Sequence, residues 1–139
     1  MYDFTGQTVI VTGGTRGIGK AVSQSFLQAG AKVIANYSSN DAAADQFRQE
    51  NAQYADRLDL QKFNVASYEE VEKFYKNVEA KYGSIDVLVS NAGIRKDSGV
   101  GMMKEADWRA VVDVNLNGNF NMCKFAVMAM MRKRYGRII

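Results

Sequence analysis

Histidine and proline are both absent from this 139-residue chain, which carries a single cysteine, Cys123. Without an imidazole, acid–base catalysis by histidine and the common histidine-containing zinc sites are excluded within these residues. One thiol can neither bridge internally nor build a thiolate cluster. With no basic-apolar leader at the start, a reducing, cytoplasmic compartment is the expectation. No proline-rich linker, repeat or low-complexity tract marks a second unit, so residues 1–139 read as one domain. Charge of one sign is scarce too: 18 Lys and Arg against 15 Asp and Glu leave +3, which is too little to indicate a nucleic-acid partner. The longest apolar-rich run, Met122 to Met131, is interrupted by Lys124 and falls well short of the roughly 20 residues that span a bilayer. No membrane anchor is expected.

What remains is an ordinary globular composition, 47% apolar and 24% charged, in a chain long enough to bury a core without disulfides. Thr8-Val9-Ile10-Val11 is a β-branched run that stops at Thr12-Gly13-Gly14, as a buried strand entering a tight turn does. From Gly17, the residues Ile18, Ala21, Val22, Phe26 and Leu27 keep helical spacing until Gly30. Lys32 to Ala35 reads as a second strand, followed by a helix capped by Asp41 and running to about Tyr54. A third strand is expected near Leu60 to Val65. Ser67-Tyr68-Glu69-Glu70 is a capping box for an amphipathic helix ending at Gly83. Ile85 to Val89 is a fourth strand, and Asp107 to about Tyr135 is mostly helical, with a distortion expected around Asn115 to Gly118. Apolar strands alternating with helices predict an α/β fold with a doubly wound parallel sheet, whose ligands lie beyond the carboxyl ends of the strands. The final Arg137-Ile138-Ile139 reads as the opening of another buried strand, so the expectation is a domain incomplete at its C-terminus.

Chemistry concentrates in Thr12-Gly13-Gly14-Thr15-Arg16-Gly17-Ile18-Gly19, between the first strand and the first helix. A diphosphate needs backbone N–H groups aimed at it and no Cβ in the way, and a helix N-terminus adds a favourable dipole. Glycines at 13, 17 and 19 meet that need; a glycine-rich turn with no ligand is the plainer alternative. The octapeptide resembles the cofactor loop of the short-chain dehydrogenase/reductases. Three further segments resemble motifs of that family: Asn91-Ala92-Gly93, with Ser90 where a first Asn is usual; Asn64-Val65, the pair that brackets the adenine ring; and Asn115 in Val114-Asn115-Leu116-Asn117-Gly118.

The resemblance implies a Rossmann-type fold, the N-terminal part of a short-chain dehydrogenase. It implies a dinucleotide held by Gly13, Gly14, Thr15, Arg16, Gly17, Ile18, Gly19, Ser38, Asn64, Val65, Asn91, Ala92 and Gly93. The end of the second strand, Asn36-Tyr37-Ser38-Ser39, carries no carboxylate to hold a ribose 2′-OH and repel a 2′-phosphate. Arg16 can pair with that phosphate and Ser38 can hydrogen-bond to it, so NADPH/NADP+ is favoured over NADH; for Arg16 a solvated surface position is the alternative. Asn115 interrupts an apolar helical pattern, which is unfavourable unless its amide or the local backbone has a job. In the family this Asn is catalytic through a proton relay; otherwise it is a buried Asn satisfied by its neighbours.

Ile94-Arg95-Lys96-Asp97 and Met102 to Trp108 resemble segments of the 3-oxoacyl-acyl-carrier-protein reductases within the family. The implied function is NADPH-dependent reduction of a 3-oxoacyl thioester on acyl carrier protein, in fatty acid synthesis, by a cytoplasmic homotetramer. A coenzyme A thioester reductase, a polyol dehydrogenase and a non-catalytic dinucleotide-binding protein are the alternatives. The family's Ser and Tyr-x-x-x-Lys do not occur in this chain: none of Tyr2, Tyr37, Tyr54, Tyr68, Tyr75, Tyr82 and Tyr135 has Lys four residues on. These 139 residues alone are expected to show no turnover. Of Arg132-Lys133-Arg134, Lys133 is read as complementing the helix dipole, and Arg132 or Arg134 as a docking point for the acidic carrier that the resemblance implies.

Overall fold

A computed structural model describes residues 2–139. Five parallel strands, β1 (Thr8–Val11), β2 (Lys32–Tyr37), β3 (Leu58–Lys62), β4 (Val87–Val89) and β5 (Arg137–Ile138), form one sheet in the order β3-β2-β1-β4-β5. They alternate with α1 (Gly17–Gln28), α2 (Asp41–Glu50), α3 (Tyr68–Tyr82), α4 (Glu105–Val112) and α5 (Gly118–Lys133). This is the doubly wound α/β architecture that the apolar central strands β1, β2 and β4 require.

The pleat divides the core. Ile10, Ile34 and Leu88 face α3 and α5, packing with Val71, Phe74, Met122 and Ala126. Their neighbours Val9, Val11, Val33, Val87 and Val89 face the other way, with Leu27 of α1 and Phe47 of α2. All four residues of β1 are buried, and each fully buried Val or Ile contributes about 1.5–3 kcal/mol of hydrophobic stabilisation. Asp86 ties the lower ends of these elements together. Its carboxylate accepts from the Thr8 amide at 2.7 Å and pairs with Lys133 at 2.5 Å.

Local differences from the sequence pattern have identifiable causes. The cap of α2 is Asn40, whose side chain accepts from the Ala43 amide at 2.9 Å; Asp41 is the first helical residue and pairs with Lys62 instead. The same helix stops at Glu50, where the buried Asn51 side chain donates through its Nδ2 to the Phe47 carbonyl at 2.8 Å. Strand β3 lies two to three residues earlier than its pattern, so Asn64 and Val65 fall in the loop beyond it. Ile18, expected on the core stripe of α1, is 78% exposed at the helix mouth. The distortion expected near Asn115 is a π-helical turn, Asp113–Asn117, joining α4 to α5.

Candidate functional site

Strand order reverses between β1 and β4, and the loops leaving these two strands meet there. Thr12 holds them together: its Oγ1 accepts from the Asn91 and Ala92 amides, both at 2.9 Å. In return the Asn91 side chain donates to the Thr12 carbonyl at 2.9 Å and the Gly13 carbonyl at 3.4 Å. Beside this junction opens a cleft of about 340 Å³. Of the thirteen residues that sequence reasoning assigns to a cofactor, ten line it: Gly13, Thr15, Arg16, Gly17, Ser38, Asn64, Val65, Asn91, Ala92 and Gly93.

The other three do not. A Cβ on Gly14 would meet the Val11 carbonyl at 2.8 Å and the Ala35 and Ser23 side chains at 2.9 Å. One on Gly19 would collide with the Gly13 carbonyl and come within 2.6 Å of the Asn91 amide nitrogen. Both glycines let protein approach protein from behind the loop. Ile18 points outward, as above. Gly17 is different, because a Cβ there meets nothing within 4 Å and its φ of +56° is one that side-chain-bearing residues rarely adopt.

The helix entering from this loop lacks a cap. Arg16 stands at the N-cap of α1 with no side-chain hydrogen bond to the first turn, which holds no acidic residue. The first intrahelical bond is from the Lys20 amide to the Arg16 carbonyl at 3.1 Å. The Gly17, Ile18 and Gly19 amides therefore precede the hydrogen-bonded part of the helix, and its positive dipole end is uncompensated. Among the described residues lining the cleft, Arg16 is the one charged side chain, and no carboxylate is present. Burial, together with nearby Asp41, raises the Tyr37 hydroxyl above its ordinary range, so this lining phenol stays protonated.

Two residues that sequence reasoning did not single out for the site shape it. One is Thr12, described above. The other is Asn36, almost fully buried, whose carbonyl accepts from the Gly14 amide at 2.9 Å. Both stand in segments the sequence marked, Thr12 opening the glycine octapeptide and Asn36 near the end of the second strand, but nothing in the pattern assigned either a partner. At the opposite rim, Asn64 spends its side-chain oxygen on the Ala66 amide at 3.0 Å, while its own amide donates to Glu70 at 2.8 Å. Val65 is fixed through its carbonyl, which accepts from the buried Asn121 side chain at 3.0 Å.

Asn115 lies outside the cleft lining. It is exposed, not buried, and its amide pairs with the Ile94 backbone in both directions, accepting at 2.8 Å and donating at 2.9 Å. The π turn thus grips the loop that follows β4. Arg132 and Lys133 are engaged by Glu79 and Asp86 respectively. No helix among the described residues is long and apolar enough to cross a membrane.

Comparison with known proteins accounts for this arrangement. An acetoacetyl-CoA reductase of Paracoccus denitrificans is 41% identical over 133 residues, covering 96% of this chain and 53% of that protein. A 3-oxoacyl-[acyl-carrier-protein] reductase of Synechocystis is 40% identical over 139 residues, 100% of this chain and 56% of its own length. One from Thermotoga maritima is 40% identical over 134 residues, covering 96% of this chain and 54% of that protein. The chain spans about half the length of these relatives. The family model for short chain dehydrogenases matches residues 7–139, and with the strand order and the braced loop at its reversal point, the chain belongs to the short chain dehydrogenase family.

Proposed function

We propose that this chain is the dinucleotide-binding domain of an NADPH-dependent 3-oxoacyl-acyl-carrier-protein reductase. The observation that carries the cofactor reading is the uncapped start of α1, opening beside Gly17 onto a cleft whose one charge is Arg16. Three amides without intrahelical partners, a dipole end and an unfilled Cβ position suit a diphosphate. In this reading Gly13, Gly14, Thr15, Gly17, Ile18 and Gly19 supply the loop that holds it, Gly14 and Gly19 by keeping its backbone close-packed. Arg16 and Ser38 hold the 2′-phosphate, Asn64 and Val65 flank the adenine, and Asn91, Ala92 and Gly93 floor the cleft.

The nicotinamide supplies a hydride when bound. The carbonyl that receives it needs a proton and a hydrogen-bond donor, and this chain holds no Tyr-x-x-x-Lys to provide them. Asn115 is this chain's catalytic candidate, contributing to the proton relay, and its side chain also keeps the loop after β4 in register with the π turn. The substrate class proposed is supported by the Synechocystis and Thermotoga maritima relatives, each named as a 3-oxoacyl-[acyl-carrier-protein] reductase. The Paracoccus denitrificans relative, named as an acetoacetyl-CoA reductase, supports a coenzyme A thioester as the second reading. Arg134, unpaired among the described residues, suits an acidic carrier, and the tetrameric, cytoplasmic setting belongs to the same proposal.

The test is a fluorescence titration of the chain with NADPH and with NADH. Saturable NADPH binding with weaker NADH binding, and no oxidation of NADPH when acetoacetyl thioesters are added, is the expected result. Equal affinities remove the roles given to Arg16 and Ser38, and absence of NADPH binding removes the function.

A further inference from the structure

The two ends of the cleft are built by different parts of the fold. The glycine loop is fixed to β4 through Thr12 and Asn91. The rim at Asn64 and Val65 is fixed from behind, by Asn121 on α5 and Glu70 on α3. One buried side chain bridges them. The Asn36 side-chain oxygen accepts from the Gly13 amide at 3.4 Å, and its side-chain nitrogen donates to the Phe63 carbonyl at 2.9 Å. The same nitrogen lies 3.4 Å from the Gln61 carbonyl and 3.3 Å from that of Tyr37. Phe63 directly precedes Asn64, so Asn36 ties the first glycine of the loop to the root of the opposite rim. Its backbone adds to the tie, because its carbonyl accepts from Gly14 at 2.9 Å.

We propose that Asn36 is a positioning residue that sets the span between the glycine-loop end and the Asn64–Val65 end of the cleft, so that one ligand engages both at once. The inference rests on the dinucleotide reading above. An amide suits this task where an ionised carboxylate, which cannot donate, or a hydroxyl, which has a single polar atom, does not: its oxygen accepts from one backbone group while its nitrogen donates to another, with no charge to bury. A ligand touching both ends gains from their fixed separation, because contact at one end holds the other at high effective concentration. A ligand touching one end gains nothing from it. Asn36 is only 2% exposed and acts through backbone it holds.

That distinction supplies the experiment. The chain and its Asn36→Ala variant are titrated with NADPH, which spans the cleft, and with adenosine, which carries no phosphate for the glycine loop and reaches only the Asn64 and Val65 end. Circular dichroism and thermal melting establish that the variant is folded. NADPH affinity is expected to fall about tenfold or more, while the fragment changes less than about twofold, a split that general loosening would not produce. Should the alanine variant fail to fold, Asn36→Thr carries the test. Its β-branched side chain suits a strand and its hydroxyl serves one of the two partners, so the same split, smaller, is expected. Parallel losses for both ligands, or an unchanged NADPH affinity, overturn the proposal. If the unaltered chain binds the fragment and NADPH with no gain from the longer ligand, the inference fails while the cleft assignment stands. If it binds neither, both fail.

Discussion

Helices α1 and α3 begin in opposite ways, although both follow a strand of the same sheet. At α3 the chain satisfies itself: the Ser67 hydroxyl accepts from the Glu70 amide at 3.4 Å, Glu70 turns back to the Asn64 amide at 2.8 Å, and Glu69 and Glu70 lie in the first turn. Glu70 thereby satisfies Asn64, not Ser67 as a capping box would have it. At α1 the N-cap is an arginine, no side chain caps, no acid answers the dipole, and the surrounding loop is glycine. Helix ends this exposed are ordinarily compensated by the chain. The difference teaches that α3 is closed by its own sequence, whereas α1 leaves its first amides and its dipole end open, as the proposed dinucleotide requires.

The largest effect in this contrast is expected from closing the α1 end sterically. Gly19→Ala places a methyl against the Gly13 carbonyl and the Asn91 amide, and overpacking of this kind costs about 1–3 kcal/mol. Because the shift falls on the loop itself, NADPH titration should show binding lost or reduced well beyond what thermal melting shows for stability.

Arg16→Ala sharpens the comparison electrostatically. Removing one charge-assisted contact should weaken NADPH binding about tenfold while NADH changes little, as read by parallel titrations. A loss equal for both cofactors would move Arg16 from the 2′-phosphate to the diphosphate.

Ser67→Ala opens the closed end. Losing the cap should cost about 0.5–1 kcal/mol of stability in urea melts, with NADPH affinity unchanged, because the Ser67 hydroxyl serves the Glu70 amide and not the Glu70–Asn64 hydrogen bond that fixes the cleft rim. If affinity falls too, the two helix starts are not independent.

The smallest effect concerns the far end of α3. Burial pushes the Asp59 carboxyl up, but hydrogen bonds from Tyr82, Lys81 and Gln61 outweigh it and hold the group below its ordinary value. A carboxyl lowered in the folded state stabilises fully above the ordinary carboxylate range and loses that contribution as pH falls through and below it. Urea melts at neutral pH and near pH 3 should therefore show a slightly steeper acid loss for the unaltered chain than for Asp59→Asn.

Much of this was legible along the chain. Short apolar runs set β1, β2 and β4, Gly30 and Gly83 set two helix ends, and an Asn in an apolar helix marked the π turn. Asp41 misled as a cap because two adjacent residues of the right type compete, and only the path of the backbone decides that Asn40 reaches Ala43. Strand β3 was misplaced because Phe63 and Val65 are apolar, yet they belong to the loop that packs under α3 and α5.

The sequence alone determined that a side-chain-free turn joins a buried strand to a helix with no carboxylate following the second strand, because local spacing dictates backbone conformation and which face is apolar. Only the tertiary structure decided which groups answer one another across that turn. Thr12 meets Asn91 across 79 positions and Asn36 meets Phe63 across 27, and Gly14 and Gly19 face protein where Gly17 faces open space. Such partnerships depend on strand order. Placing β4 and β2 on either side of β1 brings together residues whose separation along the chain carries no periodic signal.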